Sequence, residues 1–209
     1  MSAIEEAVCT CNDVIEGIRL TTCHHRYFDG KKRLESVSSV LRSTWPIPPD
    51  FSKADPAVIE NARERGVVTD SLFSAYVVGK LDRIPAGTRK DSVDLFMKAK
   101  RWWDQGPHAN VESQKILHDE EIAGTCDVTF DGFIFDVKCT HNLEATYPLQ
   151  VAGYADLHEK MTGLECQGIG ILHLSERFPE ARWVPLNLED CRRDWRTLRS
   201  MWSMVQRLK

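Results

Sequence analysis

Two aspartates and a lysine dominate the chemistry available to this chain. In the run Cys126-Asp127-Val128-Thr129-Phe130-Asp131-Gly132-Phe133-Ile134-Phe135-Asp136-Val137-Lys138, an Asp-Gly pair separates two stretches rich in β-branched and aromatic residues. Asp131-Gly132 suits a two-residue type I′ turn, and such a turn fixes register. Phe130 then faces Phe133, Val128 faces Phe135, and Asp127 faces Asp136. Directly opposed residues hold their Cβ atoms about 4.5–5.5 Å apart. Period-two alternation assigns Cys126, Val128, Phe130, Phe133, Phe135 and Val137 to an apolar face, and Asp127, Asp136 and Lys138 to the other. Two carboxylates at that spacing repel, so a shared proton, a nearby cation or a bound metal must compensate. All-oxygen ligands suit Mg²⁺ or Mn²⁺. Lys138 shares the face of Asp136 and can hold an attacking water or stabilise charge on a phosphate.

The surrounding elements must hold this hairpin. The residues after Asp55-Pro56, a cap followed by a first-turn proline, predict a helix towards Arg65. Helical spacing resumes from Val67 to Val78, and Gly66 marks either a break or a close contact. A second helix is predicted from Asp91 to Asp104. The period then changes to two: strands are expected over 110–118, 122–130 and 133–139. A helix follows over 148–161, with Pro148 in its first turn and Gly163 past its end. Strands over 166–174 and 183–188 precede a last helix, whose apolar seam is Cys191, Trp195, Leu198, Trp202 and Val205. Upstream, residues 14–28 read as one strand, paired through the Asp29-Gly30 turn with 31–37, and Ser38–Ser43 reads as a short helix. The fold class is therefore α/β, a mixed sheet flanked by helices. Residues 1–54 are expected to form an N-terminal hairpin and short-helix region, and 55–209 the core with its C-terminal helix.

With these elements in order, the sequence resembles the PD-(D/E)XK nuclease superfamily, in particular its RecB-like and phage exonuclease branch. The resemblance rests on Gly124-Thr125-Cys126-Asp127, then Asp136-Val137-Lys138, then Gln150-Val151-Ala152-Gly153-Tyr154. It covers about residues 60–175 well and the ends loosely, and it implies a restriction-endonuclease-like core. Asp127, Asp136 and position Val137 would hold the metal, Lys138 would be catalytic, and Gln150 and Tyr154 would share one helical face beside them. Members of the branch often carry R-G-x-x-x-H or R-G-x-x-x-E upstream. Here the segment is Arg65-Gly66-Val67-Val68-Thr69-Asp70. Asp70 stands at the metal-ligand position as a shorter carboxylate. The implied activity is Mg²⁺- or Mn²⁺-dependent hydrolysis of DNA phosphodiesters, as an exonuclease of recombination, repair or replication. The alternative is a non-catalytic DNA-binding protein on the same fold.

Further substrate contacts are expected at Glu112, at Arg65 and Thr140, and at Arg192, Arg196 and Arg199 on one face of the last helix. The last 33 residues carry eight basic and four acidic side chains, whereas the whole chain has a net charge of -4. A nucleic-acid enzyme therefore needs local positive charge. Lys98, Lys100, Arg101, Trp102 and Trp103 offer a second basic and aromatic patch.

Cys9, Cys11, Cys23 and His24 raise the question of zinc, and of a zinc-stabilised interaction protein. The C-x-C spacing is tighter than usual and adjacent histidines on a strand point apart, which argues against a Zn²⁺ site. Downstream, Cys166 and Cys191 lie too far apart for the iron–sulfur arrangement of some RecB-like nucleases. The chain starts without a basic or long apolar segment and contains no run of about 18 apolar residues. Seven cysteines form an odd number. No membrane association is expected, and the setting is read as cytoplasmic and reducing.

Overall fold

The computed structural model describes residues 12–15, 18–21, 26–45 and 55–208. In chain order these form β1 (Asn12–Ile15), β2 (Ile18–Thr21), β3 (Arg26–Asp29), β4 (Lys32–Ser36), α1 (Val37–Thr44), α2 (Pro56–Val77), α3 (Lys90–Trp103), β5 (Glu112–His118), β6 (Ile122–Phe130), β7 (Phe133–Lys138), α4 (Tyr147–Thr162), β8 (Gly168–His173), β9 (Arg182–Leu186) and α5 (Leu188–Arg207). No helix among the described residues is long and apolar enough to cross a membrane.

The strands make a nine-stranded mixed sheet. Asp131 and Gly132 take φ of 48° and 82°, the left-handed pair a type I′ turn requires. That turn pairs Phe130 with Phe133 and Val128 with Phe135, as the sequence predicts. Strand β7 pairs in parallel with β8, and β8 antiparallel with β9. The parallel β7–α4–β8 unit carries its crossover helix against the sheet.

Helices cover both faces. On one side α1, α4 and α5 bury Val37, Leu41, Val151, Leu157 and Trp195 against Ile122, Cys126, Ile134 and Ile171 of the sheet. On the other, α2 and α3 bury Leu72, Phe73, Leu95 and Phe96 against Val128, Phe135, Val137 and Leu172. The same side carries an aromatic cluster, in which Trp102 stacks on Trp183 at 5.3 Å and Trp103 on His108 at 3.6 Å. Of the basic residues beside these tryptophans, Lys98 donates to the carbonyls of Ser175 and Phe178, Lys100 pairs with Asp104, and Arg101 with Glu180.

Several expectations need correction. Residues 14–28 are not one strand: they contain parts or all of β1, β2 and β3, which form successive antiparallel pairs. Helix α2 runs through Gly66 without a break, capped by Asp55, whose side chain accepts the Ala57 N–H at 2.8 Å. A Cβ at Gly66 would meet Cys139 at 3.8 Å, an ordinary contact. The two faces of the central hairpin are both buried, and Cys126 does not share a face with Val128. Cys126 belongs to the α4 side and Val128 to the α2–α3 side, so side-chain alternation breaks at Asp127. Cys9, Cys11, Cys23 and His24 lie outside the described residues.

The N-terminal strands are continuous with the sheet. Strand β4 pairs in parallel with the start of β6, Glu35 with Ile122 and Ser36 with Ala123. The opposite edge of β6 pairs with β5 from Ala123 to Thr129. One edge of β6 is therefore held by β4 at its beginning and by β7 from Val128 onward. Residues Gly124 to Asp127 face the gap between those two partners.

Candidate active site

The gap along β6 opens into a cleft of about 660 Å³. Four elements supply its floor: α2 gives Asp70, β6 gives Asp127, β7 gives Asp136, Val137 and Lys138, and α4 gives Gln150 and Tyr154. The sequence brings these together correctly, although the two hairpin aspartates do not form a ladder pair. The hairpin ladder reaches Val128 and Phe135. Beyond it, Asp127 turns its Oδ2 onto the N–H of Val137 at 2.8 Å.

Lys138 is the hub. Its ammonium ion-pairs with Asp136, donates to Gln150 Oε1 at 3.1 Å, and lies 4.6 Å from the centre of the Tyr147 ring. The Gln150 amide in turn donates to the Tyr154 hydroxyl at 2.7 Å and to Ser38 Oγ at 3.4 Å. Gln150 and Tyr154 are one helical turn apart, so both reach the cleft from one face of α4. Close packing sets this face. A Cβ at Gly124 would lie 2.6 Å from the Tyr154 ring and 3.2 Å from Val37, so only glycine lets β6 approach α4 here.

Electrostatics follow from burial. Burial, then the charge of Asp136, push the Asp70 carboxyl up to about 6, against hydrogen bonds from Ser74 and Gln114. Burial, then Asp136 and Asp70, push Asp127 well above the usual carboxylate range. Burial draws the Lys138 ammonium down, but Asp136 and Asp127 outweigh it and raise its pKa overall. Oδ2 of Asp136 is buried, and its partner is the Lys138 ammonium. Three carboxylates in one cleft, two of them with raised pKa, match the oxygen donor set of a hard divalent cation. Side chains alone do not enclose one: among the described residues no three His, Cys, Asp or Glu side chains converge to hold an ion.

The opposite wall comes from the N-terminal elements. Arg26 and Tyr27 of β3, Arg33 of β4, Ser38, Ser39 and Arg42 of α1 and Ser36 before it line the same cleft. Tyr27 reaches across to Thr125 of β6, hydroxyl to hydroxyl at 2.9 Å. Sequence reasoning missed this wall. The pairing of β3 with β4 through Asp29-Gly30 was legible, but nothing local showed that this hairpin docks beside Asp127. It also missed Gln114, which donates to Asp70 Oδ2 at 3.0 Å.

The remaining candidates stand outside the cleft lining. Glu112 is exposed and pairs with Lys115 at 2.6 Å. Arg65 pairs with Glu176, and Thr140 donates to the Asn142 carbonyl at 2.9 Å. The three arginines of α5 bind the chain's own carboxylates. Arg192 is buried against Asp156 and Glu159, Arg196 takes Asp156 at 2.9 Å, and Arg199 takes Asp119 at 2.6 Å.

The solved structure of a "putative exonuclease" from Eubacterium rectale superposes with a TM-score of 0.51 at 13% identity, over 82% of this chain and 77% of that one. The chain shares the fold of that structure. Two other nuclease structures align more loosely. An alkaline exonuclease from Laribacter hongkongensis does so at 9% identity, over 83% of this chain and 92% of its own, with a TM-score of 0.37. A phage related exonuclease from Haemophilus somnus does so at 13% identity over 84% and 96%, also with a TM-score of 0.37. No family model and no curated protein matches the sequence. The hairpin and the helix after it bring Asp136 and Gln150 into contact with Lys138.

Proposed function

We propose that this chain is a divalent-metal-dependent nuclease that hydrolyses DNA phosphodiester bonds, acting as an exonuclease in recombination, repair or replication. The observation that carries the proposal is the cleft itself: half-buried Asp70 and Asp127 and buried Asp136, with Lys138, face a wall bearing Arg26, Arg33 and Arg42. Acidic floor and basic wall suit a phosphodiester gripped by its anionic oxygens beside a cation. Asp127, Asp136 and Asp70 would hold Mg²⁺ or Mn²⁺, with the main chain at Val137. A bound ion of this kind polarises the phosphate and lowers the pKa of a coordinated water. Lys138, fixed between Asp136 and Gln150, orients that water and offsets charge as it develops on the phosphate. Gln150 holds the ammonium in place through Tyr154 and Ser38. The four described cysteines near and beyond the site, Cys126, Cys139, Cys166 and Cys191, are free thiols, which supports a reducing, cytoplasmic setting.

One observation favours a non-catalytic DNA-binding protein instead: no three acidic side chains among the described residues form a ready ion cage. Cleavage of end-labelled single- and double-stranded DNA with Mg²⁺, Mn²⁺ or EDTA, beside Lys138→Ala, separates the two. Metal-dependent loss of label that vanishes in the variant is the expected result. Retained DNA binding without cleavage of linear, nicked or circular DNA would overturn the catalytic reading.

A further inference from the structure

Strand β5 contains an irregularity at the edge of the cleft. Its ladder with β6 pairs Ser113 with Val128 and Lys115 with Cys126, but Gln114 and Asp127 between them are unpaired. Gln114 has φ of 52°, a left-handed conformation in the middle of a strand. The other described non-glycine residues with positive φ are Asn110 and Asp131, both outside strands. Left-handed backbone is costly for a residue with a side chain, about 1–3 kcal/mol, and such strained residues cluster at functional sites.

A change of side-chain direction is visible in the contacts. In a regular strand successive side chains point to opposite faces. Here Ser113 and Gln114 both reach Ser74 of α2, Ser113 Oγ donating to its carbonyl and Gln114 Nε2 to its hydroxyl, each at 3.0 Å. The Gln114 amide also donates to Asp70 Oδ2 at 3.0 Å, while Ser74 Oγ donates to Asp70 Oδ1 at 3.3 Å. Both oxygens of Asp70 are thus held by neutral donors. Across the ladder, the same break releases Asp127 to accept the Val137 N–H.

We propose that Gln114 is a positioning residue for metal binding: a left-handed kink in β5 aims its amide at Asp70 and, with Ser74, fixes that carboxylate towards the cleft. This rests on the metal-dependent reading above. A hydrogen-bonded carboxylate is presented to the ion in one orientation, and loss of such a partner typically costs 10–100-fold in metal affinity. A neutral amide also braces Asp70 without adding a further negative charge to the acidic floor.

The test uses the full chain and its Gln114→Met and Gln114→Glu variants. Mn²⁺ affinity is measured by isothermal titration calorimetry, thermal midpoints are recorded in EDTA and in Mn²⁺, and kcat and KM are measured on labelled DNA. The expected result for Gln114→Met is at least tenfold weaker Mn²⁺ binding with KM for DNA at saturating Mn²⁺ unchanged. Gln114→Glu is expected to melt lower than the parent in EDTA and to gain more than the parent on adding Mn²⁺, a signature that loss of packing does not produce. If Gln114→Met does not fold, Gln114→Ala, which removes the same donor, takes its place. Parent-like Mn²⁺ affinity in the folded variant, with an active parent, overturns the role of Gln114 and leaves the nuclease reading standing. A parent that neither binds Mn²⁺ nor cleaves overturns the nuclease reading, and the positioning role falls with it.

Discussion

At the scale of single residues, the site is a balance between one cation and three acids. Removing the cation tests it most directly. Lys138→Ala is expected to lower cleavage by at least a hundredfold, the size seen when one preorganised charge-stabilising donor is lost, while circular dichroism and the thermal midpoint show a folded protein. A wild-type rate in that variant would discard Lys138 as the catalytic cation. The acids make a second prediction. Asp70 has its pKa raised from 3.8 to about 6 in the folded chain, so between those values the native state binds more protons than the unfolded one. Stability of the metal-free protein therefore falls as pH rises through that window. Melting in EDTA at pH 4.5 and pH 7 should show a drop that shrinks in Asp70→Asn, and added Mg²⁺ should raise the pH 7 midpoint of the parent. A pH drop of equal size in Asp70→Asn would mean that Asp70 is not its source.

At the scale of elements, the sequence was most legible where local rules govern. The Asp131-Gly132 turn requires left-handed backbone, and the register it sets brings Asp127, Asp136 and Lys138 near one another. The helix bearing Gln150 and Tyr154 was equally legible from Pro148 and Gly163. What failed was strict period two. The left-handed kink at Gln114 reverses the parity of β5, so Glu112 ends beside Lys115, away from the cleft, and Gln114 enters it. Nothing in the residue types of β5 announces that reversal, because tertiary contacts to Ser74 and Asp70 sustain it. Charge was misleading for a related reason. Arg192, Arg196 and Arg199 look like a phosphate-binding face until the acids of α4 and of the β5–β6 turn are placed opposite them.

Two element-scale consequences can be measured. Asp119, in the turn between β5 and β6, accepts from Lys160 of α4 at 2.8 Å and Arg199 of α5 at 2.6 Å. Burial raises its pKa, but these partners and the N–H groups of Glu121 and Ile122 outweigh burial and bring it to about 2. The stabilisation it gives is present above the unfolded value of 3.8 and is lost as pH falls towards 2. Asp119→Ala should cost about 1–3 kcal/mol in urea unfolding at pH 7 and leave kcat unchanged. Gly124→Ala should act differently, lowering stability by about 1–3 kcal/mol through overpacking and lowering kcat as well, because the new methyl displaces Tyr154 and with it Gln150. Unchanged activity in Gly124→Ala would separate Tyr154 from the chemistry.

At the scale of the whole molecule, the N-terminal elements are structural partners of the core. Val37, Val40 and Leu41 of α1 are buried beneath α4 and α5. At about 1.5–3 kcal/mol for each buried apolar side chain, their removal approaches the total stability of an ordinary domain, about 5–15 kcal/mol. A chain beginning at residue 55 is therefore expected to show no cooperative thermal transition. A cooperative melt of 55–209 would instead establish two independent folding units. The same elements concentrate positive charge in a molecule whose net charge is -4. Arg33→Ala should weaken DNA binding across sequences alike and reduce the slope of log affinity against log salt by about 1.

The distribution of indoles has a practical result. Trp102, Trp103 and Trp183 sit in the aromatic cluster on the α2–α3 side, and Trp195 and Trp202 of α5 are buried on the opposite side. None of the six tryptophans lines the cleft. Intrinsic emission will therefore report unfolding of either layer while staying silent when an ion or a nucleotide enters, and an optical reporter of occupancy has to be introduced on the N-terminal wall.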